Sequence, residues 1–337
     1  MIRFSARNLA IDLGTANTLI YEAGKGIILN EPSIVAIKGS GNRRQLIACG
    51  LEAKAMLGRT PEKVKVIRPV RTGVIADFEA ASLMLSYFLT KVRKKNRSVL
   101  RPRIVVGIPS HITEVERRAI KESVEYHARS VSLMDEAMAS AIGCALPVLE
   151  ATASLIVDIG GGTTDIAVIS FKDVVHSLSV REGGDAMDEA IINYLRRRHH
   201  LLIGEATAEM IKKTIGSAHA QYDGEAIEVR GRSLISGAPA SLRISSEEVR
   251  EAINEVVNTI VAAVRQALEN TPPELSGDII SRGIFLAGGG ALLRGLDSRL
   301  AEELNISVTV GEDPLSAVVH GVGRCLDHPE IYSEVMR

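Results

Sequence analysis

Apolar positions recur along the chain in two rhythms. Short apolar or alternating runs, clearest at Leu9–Leu13, Thr18–Tyr21 and Ile104–Ile108, have the length and β-branched content of strands. Stretches with a 3.6-residue period predict helices, one of them over Glu79–Val92. Another opens at Thr113-Glu114-Val115-Glu116, which has capping-box spacing, and carries apolar Val115, Ile120 and Val124. Ser245 and Glu248 repeat that spacing at the head of a long helix, which Pro272-Pro273 must end after Asn270. Asp185–Arg198 and Leu292–Leu304 read as further helices, and His199-His200 as the polar end of the first of them. Strand and helix patterns intermix throughout, which predicts an α/β fold.

Two of the strand pairs echo each other. LAIDLGTANTLIY (Leu9–Tyr21) and LIVDIGGGTTDIAVI (Leu155–Ile169) share the order apolar strand, Asp, Gly/Thr turn, apolar strand, and lie nearly half the chain apart. Such a turn lets backbone N–H groups approach a phosphate, with Gly where a side chain would block the approach and Thr hydroxyls as added donors. An Asp ending the strand before the turn, here Asp12 and Asp158, can hold Mg²⁺ directly or through water. Facing one another, two such hairpins would clamp a polyphosphate. A third glycine cluster, Gly288-Gly289-Gly290, follows the apolar run Ile284–Ala287 and offers bare backbone to a flat nucleoside. Its spacing is not that of a dinucleotide fold, and no Walker-type P-loop occurs.

Composition narrows the choice. The 337 residues carry 40 Lys+Arg against 41 Asp+Glu, a formal charge of −1, so nothing attracts nucleic acid globally. With no Trp, five Phe and six Tyr there is little on which to stack bases. At 46% hydrophobic residues the chain can bury a substantial core, and its length suggests about two domains. The longest uncharged run, Ala137–Leu149, is too short to cross a bilayer, which takes ~20 apolar residues. The first eight residues lack the apolar stretch of a secretory signal. Cys49, Cys144 and Cys325 stand at unrelated spacings, which argues for a reducing cytoplasm rather than a disulfide or metal framework.

DLGTANT (Asp12–Thr18), DIGGGTTD (Asp158–Asp165) and LAGGGALL (Leu286–Leu293) resemble the two phosphate loops and the adenosine loop of the actin-like ATPase superfamily. Within it the chain resembles the MreB family of bacterial actins over nearly its whole length. LNEPSIVAI (Leu29–Ile37), IRPVRTGVIADF (Ile67–Phe78), AMASAIG (Ala137–Gly143), GGDAMDEAI (Gly183–Ile191), LLIGEATAE (Leu201–Glu209) and TPPELSGDI (Thr271–Ile279) carry that resemblance. It implies an actin-like α/β fold with two lobes around a nucleotide cleft. Residues 1–143 and 320–337 would form one lobe, with 31–70 as its small subdomain. Residues 144–319 would form the other, with a small subdomain near 183–243.

The resemblance also implies roles. Gly14, Thr15, Ala16 and Asn17 would hold the phosphates of ATP or ADP from one lobe, and Gly160, Gly161, Gly162 and Thr163 from the other. Asp12 and Asp158 would organise Mg²⁺ and its waters. Gly183 and Gly184 would lie near the ribose, Glu205, Glu209 and Lys212 on the nucleoside-contacting helix, and Gly288–Gly290 along the adenosine. Without the resemblance, Glu205 and Glu209 read as a solvated helix face. The family's water-orienting Glu falls on Glu136, with Asp135 beside it as a rival, and slow ATP hydrolysis quickened by assembly follows. The chain departs from the usual family sequence at Ala137 (Pro), Ala206 (Arg) and Ala287 (Thr). None of the three is a phosphate or metal position.

Arg93–Arg103 is the strongest local charge feature, with six Lys or Arg in eleven residues, no acid, and an apolar Val99-Leu100 pair among them. It reads as a loop where the family inserts into an anionic membrane surface, each basic residue contributing about 1 kcal/mol. The implied protein assembles head to tail with copies of itself into paired protofilaments at the inner face of the cell membrane. There it works with membrane proteins of cell-wall synthesis and sets rod shape. A relative that positions plasmids or organelles, or a sugar or acetate kinase on the same fold, are the alternatives. A chaperone would need a substrate-binding domain beyond the ATPase motifs.

Overall fold

In the computed structural model, residues 8–39, 44–96, 101–110 and 112–335 are described. The chain divides into two compact units, one of Met1–Thr152, Ile169–Val175 and Leu315–Arg337, the other of Ala153–Val168 and His176–Pro314.

In the first unit, β1 (Leu9–Leu13), β2 (Asn17–Glu22) and β3 (Gly26–Pro32) form an antiparallel meander. A small sheet follows, of β4 (Val35–Lys38), β5 (Gln45–Cys49) and β6 (Val64–Ile67), with the short helix α1 (Leu51–Ala55) between its last two strands. The two-stranded hairpin β7 (Val70–Arg71) and β8 (Val74–Ile75) leads into α2 (Phe78–Asn96). β9 (Arg103–Ile108), α3 (Glu114–Glu125), β10 (Ser130–Asp135) and α4 (Glu136–Gly143) complete this stretch. β9 lies parallel to β1, and β10 parallel to β9, giving the sheet order β3-β2-β1-β9-β10. Thr113 and Glu116 form the expected capping box of α3.

The second unit repeats the plan. β11 (Ser154–Ile159), β12 (Thr164–Ser170) and β13 (Asp173–Val180) are consecutive neighbours. α5 (Gly184–Arg198) is followed by a small sheet of β14 (Leu201–Leu202), β15 (Ala226–Ser233) and β16 (Pro239–Ser245), with α6 (Glu205–Ile215) between its first two strands. α7 (Ser246–Glu269) starts from the Ser245–Glu248 capping box and ends at Asn270. After α8 (Pro273–Arg282) come β17 (Ile284–Ala287), α9 (Leu296–Leu304) and β18 (Val308–Val310). β17 lies parallel to β11, and the order β13-β12-β11-β17-β18 is the first sheet's order again. The echo of two short motifs thus extends to two whole sheets. The chain then returns to the first unit with α10 (Ala317–Asp327) and α11 (Pro329–Tyr332).

Both cores are aliphatic. Leu9, Ile11, Ile20, Leu85, Ile104 and Val106 pack in the first around Phe88, which is fully buried, while Phe78 and Phe171 are exposed. The second is built on Leu155, Val157, Ile191, Ile253, Ile260 and Leu286. Each such side chain contributes ~1.5–3 kcal/mol when buried, so branched aliphatics in number replace aromatics.

Three local expectations need correction. The helix expected over Glu79–Val92 runs on to Asn96, so the basic segment begins as helix and not as loop; Arg, Lys and Asn at 93–96 contain nothing that stops a helix. The helix expected at Leu292–Leu304 starts at Leu296. A 3₁₀ turn covers Gly289–Leu292, and Gly295, at φ 70°, reorients the chain against His219 and Tyr222 before α9 begins. The second strand of the first hairpin begins at Asn17, inside the expected four-residue turn, because Asn17 already pairs with Pro32 on β3.

Candidate functional site

β1 is buried along its whole length and carries Asp12 to its end, between Leu19 on β2 and Gly107 on β9. At Gly14 a Cβ would lie 2.8 Å from the Asn17 carbonyl oxygen, so the turn closes only around a glycine. Buried Ser33 clamps it from the protein side. Its hydroxyl donates to the Gly14 carbonyl at 2.6 Å and lies 2.9 Å from Thr18 Oγ1, and its N–H donates to the Ala16 carbonyl at 2.9 Å. The Gly73 N–H donates to Thr15 Oγ1 at 3.2 Å. These bonds hold the turn in shape from within the protein, the kind of fixed backbone that can present N–H groups to an anion.

The adjacent acids at the end of β10 are placed differently. Asp135 is the N-cap of α4, its carboxylate accepting from Ala137 N at 2.9 Å and Met138 N at 3.1 Å. Glu136 is the first residue of the helix and half-buried. Its Cγ is one of the atoms a Cβ on Gly107 would meet, at 3.4 Å, and Gly107 is the β9 partner of Asp12. Asp12 on β1 and Glu136 just past β10 therefore lie on either side of the same β9 glycine. α4 is held by α10 through bare backbone: a Cβ at Gly143 would overlap the Ala317 carbonyl, and one at Gly321 the Ala139 carbonyl.

In the second unit Asp158 occupies the corresponding place on β11, beside Ala287 on β17. Gly160 N donates to the Thr163 carbonyl at 2.8 Å, closing the turn. The carbonyls of Gly160 and Gly161 accept from Gly184 N at 3.0 Å and Asp185 N at 2.7 Å, which seats the loop on the first turn of α5. A Cβ at Gly183 would lie 2.7 Å from the Gly160 carbonyl oxygen, and Thr164 Oγ1 donates to the Glu182 carbonyl at 2.7 Å. Gly288 has φ 77°, and a Cβ there would sit 2.5 Å from Asp158 Oδ1; one at Gly290 would overlap Ile159. Gly289 between them is exposed. Two of the three glycines are thus required by packing against the end of β11.

α6 brings Glu205, exposed at its start, and Glu209 one turn on, paired with Lys213 at 2.6 Å. Lys212 donates to the Gly184 carbonyl at 2.6 Å and meets Asp188 Oδ1 at 2.8 Å. Burial pushes the Asp188 carboxyl up to about 6, against the pull of Lys212, with Asp185 and Glu209 adding to the rise. The sequence reading gave Asp188 no role. Its signal was available: Asp188, Ile191 and Leu195 share the buried face of α5, where a carboxylate needs a partner. Ser33, Gly107 and Gly321 were also missed. Val99 and Leu100 lie outside the described residues.

In each unit by itself the donor set suits phosphate and a hard cation. Each unit offers a glycine cradle that a Cβ would fill and one buried carboxylate at a strand end, and Mg²⁺ on nucleotides takes one or two carboxylates with the phosphates themselves.

The MreB/Mbl protein family matches residues 6–334. The chain belongs to that family. It is 54% identical over 325 residues to the cell shape-determining protein MreB of Escherichia coli K12, covering 96% of this chain and 94% of that one. Against the cell shape-determining protein Mbl of Bacillus subtilis 168 it is 48% identical, covering 96% of each. MreB5 of Spiroplasma citri, in a crystal structure bound to ADP, superposes with a TM-score of 0.91 at 35% identity over 98% of this chain and 99% of that one. The same protein bound to AMPPNP gives the same score. The MamK double helical filament, at 23% identity and a TM-score of 0.78, shares the fold. The fold is thus the actin-like one expected, in an MreB/Mbl chain whose loops after Asp12 and Asp158 have the same place in two like sheets.

Proposed function

We propose that this chain is a cell-shape-determining bacterial actin that binds and slowly hydrolyses ATP, assembles head to tail with its own copies, and works at the inner face of the cell membrane with proteins of cell-wall synthesis. The observation that carries the reading is the recurrence of one device, a buried Asp leading a glycine turn on the first strand of a sheet, in both units of an MreB/Mbl chain.

In this reading the turns Gly14–Asn17 and Gly160–Thr163 bind the phosphates, and Asp12 and Asp158 hold Mg²⁺ with its waters. Bound Mg²⁺ would offset the negative charge of the phosphates, which otherwise repels nearby carboxylates. Gly183, Gly184, Glu205, Glu209, Lys212 and Gly288–Gly290 surround ribose and base. Glu136 orients the attacking water. Its backbone is fixed by the Asp135 cap, so its carboxylate is not needed to start α4, and it sits beside the strand partner of Asp12. The relatives' names supply the cell-shape role, and the nucleotides in the MreB5 structures support the choice of ATP and ADP.

Membrane attachment rests on the charge of Arg93–Arg103 and the Val99-Leu100 pair. One such segment binds weakly, and a filament with many copies gains by avidity. Pelleting and electron microscopy with ATP, with and without anionic liposomes, test the whole. Filaments that gather on lipid support the proposal; a soluble monomer that phosphorylates a sugar refutes it. Loss of liposome co-sedimentation in Val99→Asp with Leu100→Asp supports the membrane contact, and unchanged co-sedimentation refutes it.

A further inference from the structure

Lys212 projects from α6, yet its ammonium is committed to α5. Besides its bonds to the Gly184 carbonyl and to Asp188, both its side chain and that of Asp188 are nearly buried, 14% and 12% exposed. Gly184 in turn donates its N–H to Gly160, and Asp185 its own to Gly161. An unbroken run of polar contacts therefore leads from α6, through the first turn of α5, to the loop that follows Asp158. Gly183 and Gly184 leave no slack in it. A Cβ on either would press on the loop carbonyls or come within 3.2 Å of Lys212 Nζ.

Asp188 is the costly member. It shares the buried face of α5 with Met187, Ile191 and Leu195, where an apolar residue would pack at no desolvation penalty. A buried ion pair adds little to stability beyond what apolar packing gives, and its best-attested use is to fix register. The register fixed here is that of α6 relative to the glycine loop.

We infer that Asp188 is a positioning residue for the nucleotide: by anchoring Lys212 on Gly184 it makes α6 and the loop Gly160–Thr163 a single piece, and so sets the loop for the terminal phosphates. The inference rests on the nucleotide reading proposed above. It makes Lys212 a strut between the nucleoside helix and the phosphate loop, so that a change at the phosphates is felt at α6 and at the small sheet β14–β16 that flanks it in sequence.

The test is calorimetric titration of the full chain with ADP and with AMPPNP in the presence of Mg²⁺. Asp188→Asn should weaken ADP about tenfold and AMPPNP further, tenfold being the loss of one good polar contact. Lys212→Met should lose at least as much, and the double variant no more than Lys212→Met alone, since the two act as a unit. Equal losses for the two nucleotides, additive losses, or none would overturn the inference. If Asp188→Asn does not fold, Asp188→Leu with Lys212→Met replaces the pair with apolar groups. It should fold and still discriminate against AMPPNP, and wild-type affinities in it would overturn the strut. Failure of the wild-type chain to bind either nucleotide would instead refute the proposed function.

Discussion

The contact of α4 with α10 makes a quantitative prediction about Glu136. Gly321 in α10 faces the Ala139 carbonyl of α4 so closely that a methyl group would overlap it. Gly321→Ala must therefore push the helices apart by roughly 1 Å or more, since non-bonded heavy atoms settle near ~3.5 Å. Two effects on stability compete. Ala is the better helix former by ~1 kcal/mol, and overpacking of a tight contact costs ~1–3 kcal/mol. The net is a loss of up to about 2 kcal/mol, or up to several degrees in Tm at roughly 2–4 °C per kcal/mol.

Function should suffer more than stability, because α4 carries Glu136 at its head and a misplacement of ~1 Å can cost ~100-fold in rate. Gly277 in α8 is the matched control. It too lies within a helix, but nothing stands within 4 Å of a Cβ there, so Gly277→Ala should stabilise by ~0.5–1 kcal/mol and leave turnover alone. The assays are thermal unfolding, ADP affinity, and phosphate release per assembled subunit at saturating ATP. Gly321→Ala with wild-type release and an unchanged Tm would refute the argument that bare backbone in this contact sets the position of Glu136.

Three further outcomes are expected. Glu136→Gln should abolish phosphate release without lowering Tm or ADP affinity. Asp135→Ala should lower Tm by the ~0.5–2 kcal/mol of a lost N-cap, and the reverse pattern would exchange the roles of the two acids. Gly288→Ala, strained at φ 77° and pressed on Asp158, should weaken nucleotide binding in titrations; wild-type affinity would mean that the loop yields freely. Asp188 has its carboxyl raised from 3.8 to about 6, so the folded chain retains a proton there that the unfolded chain releases. Its contribution to stability therefore grows as pH falls from about 6 towards 4. The Tm of the wild type relative to Asp188→Asn should rise over that interval, and a difference constant in pH would refute the assignment.

Elements with a local cause were legible in the sequence. The two capping boxes at Thr113 and Ser245 act within four residues, and both start their helices as read. The boundaries that moved depend on distant partners: α9 is delayed because Gly295 packs on Tyr222, and β2 begins early because Asn17 pairs with Pro32. At the candidate site, Asp12 and Asp158 could be picked out because strand, acid and glycine turn are contiguous. Ser33, Gly107 and Gly321 could not, since each matters only through a residue more than a dozen positions away. Between Asp135 and Glu136 the family resemblance points to Glu136, but that Asp135 caps α4 was not legible in the sequence. The cap turns on which carboxylate meets the helix N–H groups, a matter of backbone angle.

One difference between the twin sheets lies at the end of the fourth strand. Beside Asp12 that position is Gly107, and the room it leaves is taken by Val318 and, a little farther off, by the stem of Glu136. Beside Asp158 it is Ala287, and the chain turns at once into Gly288, whose bare backbone closes over the acid. If the halves descend from one ancestral sheet, this is one place where they parted: one copy left space for side chains from other elements, and the other closed it with bare backbone. Giving β9 the Ala-Gly end of β17 would take away the room that the Glu136 stem and Val318 now share, and so would test how much that single glycine decides.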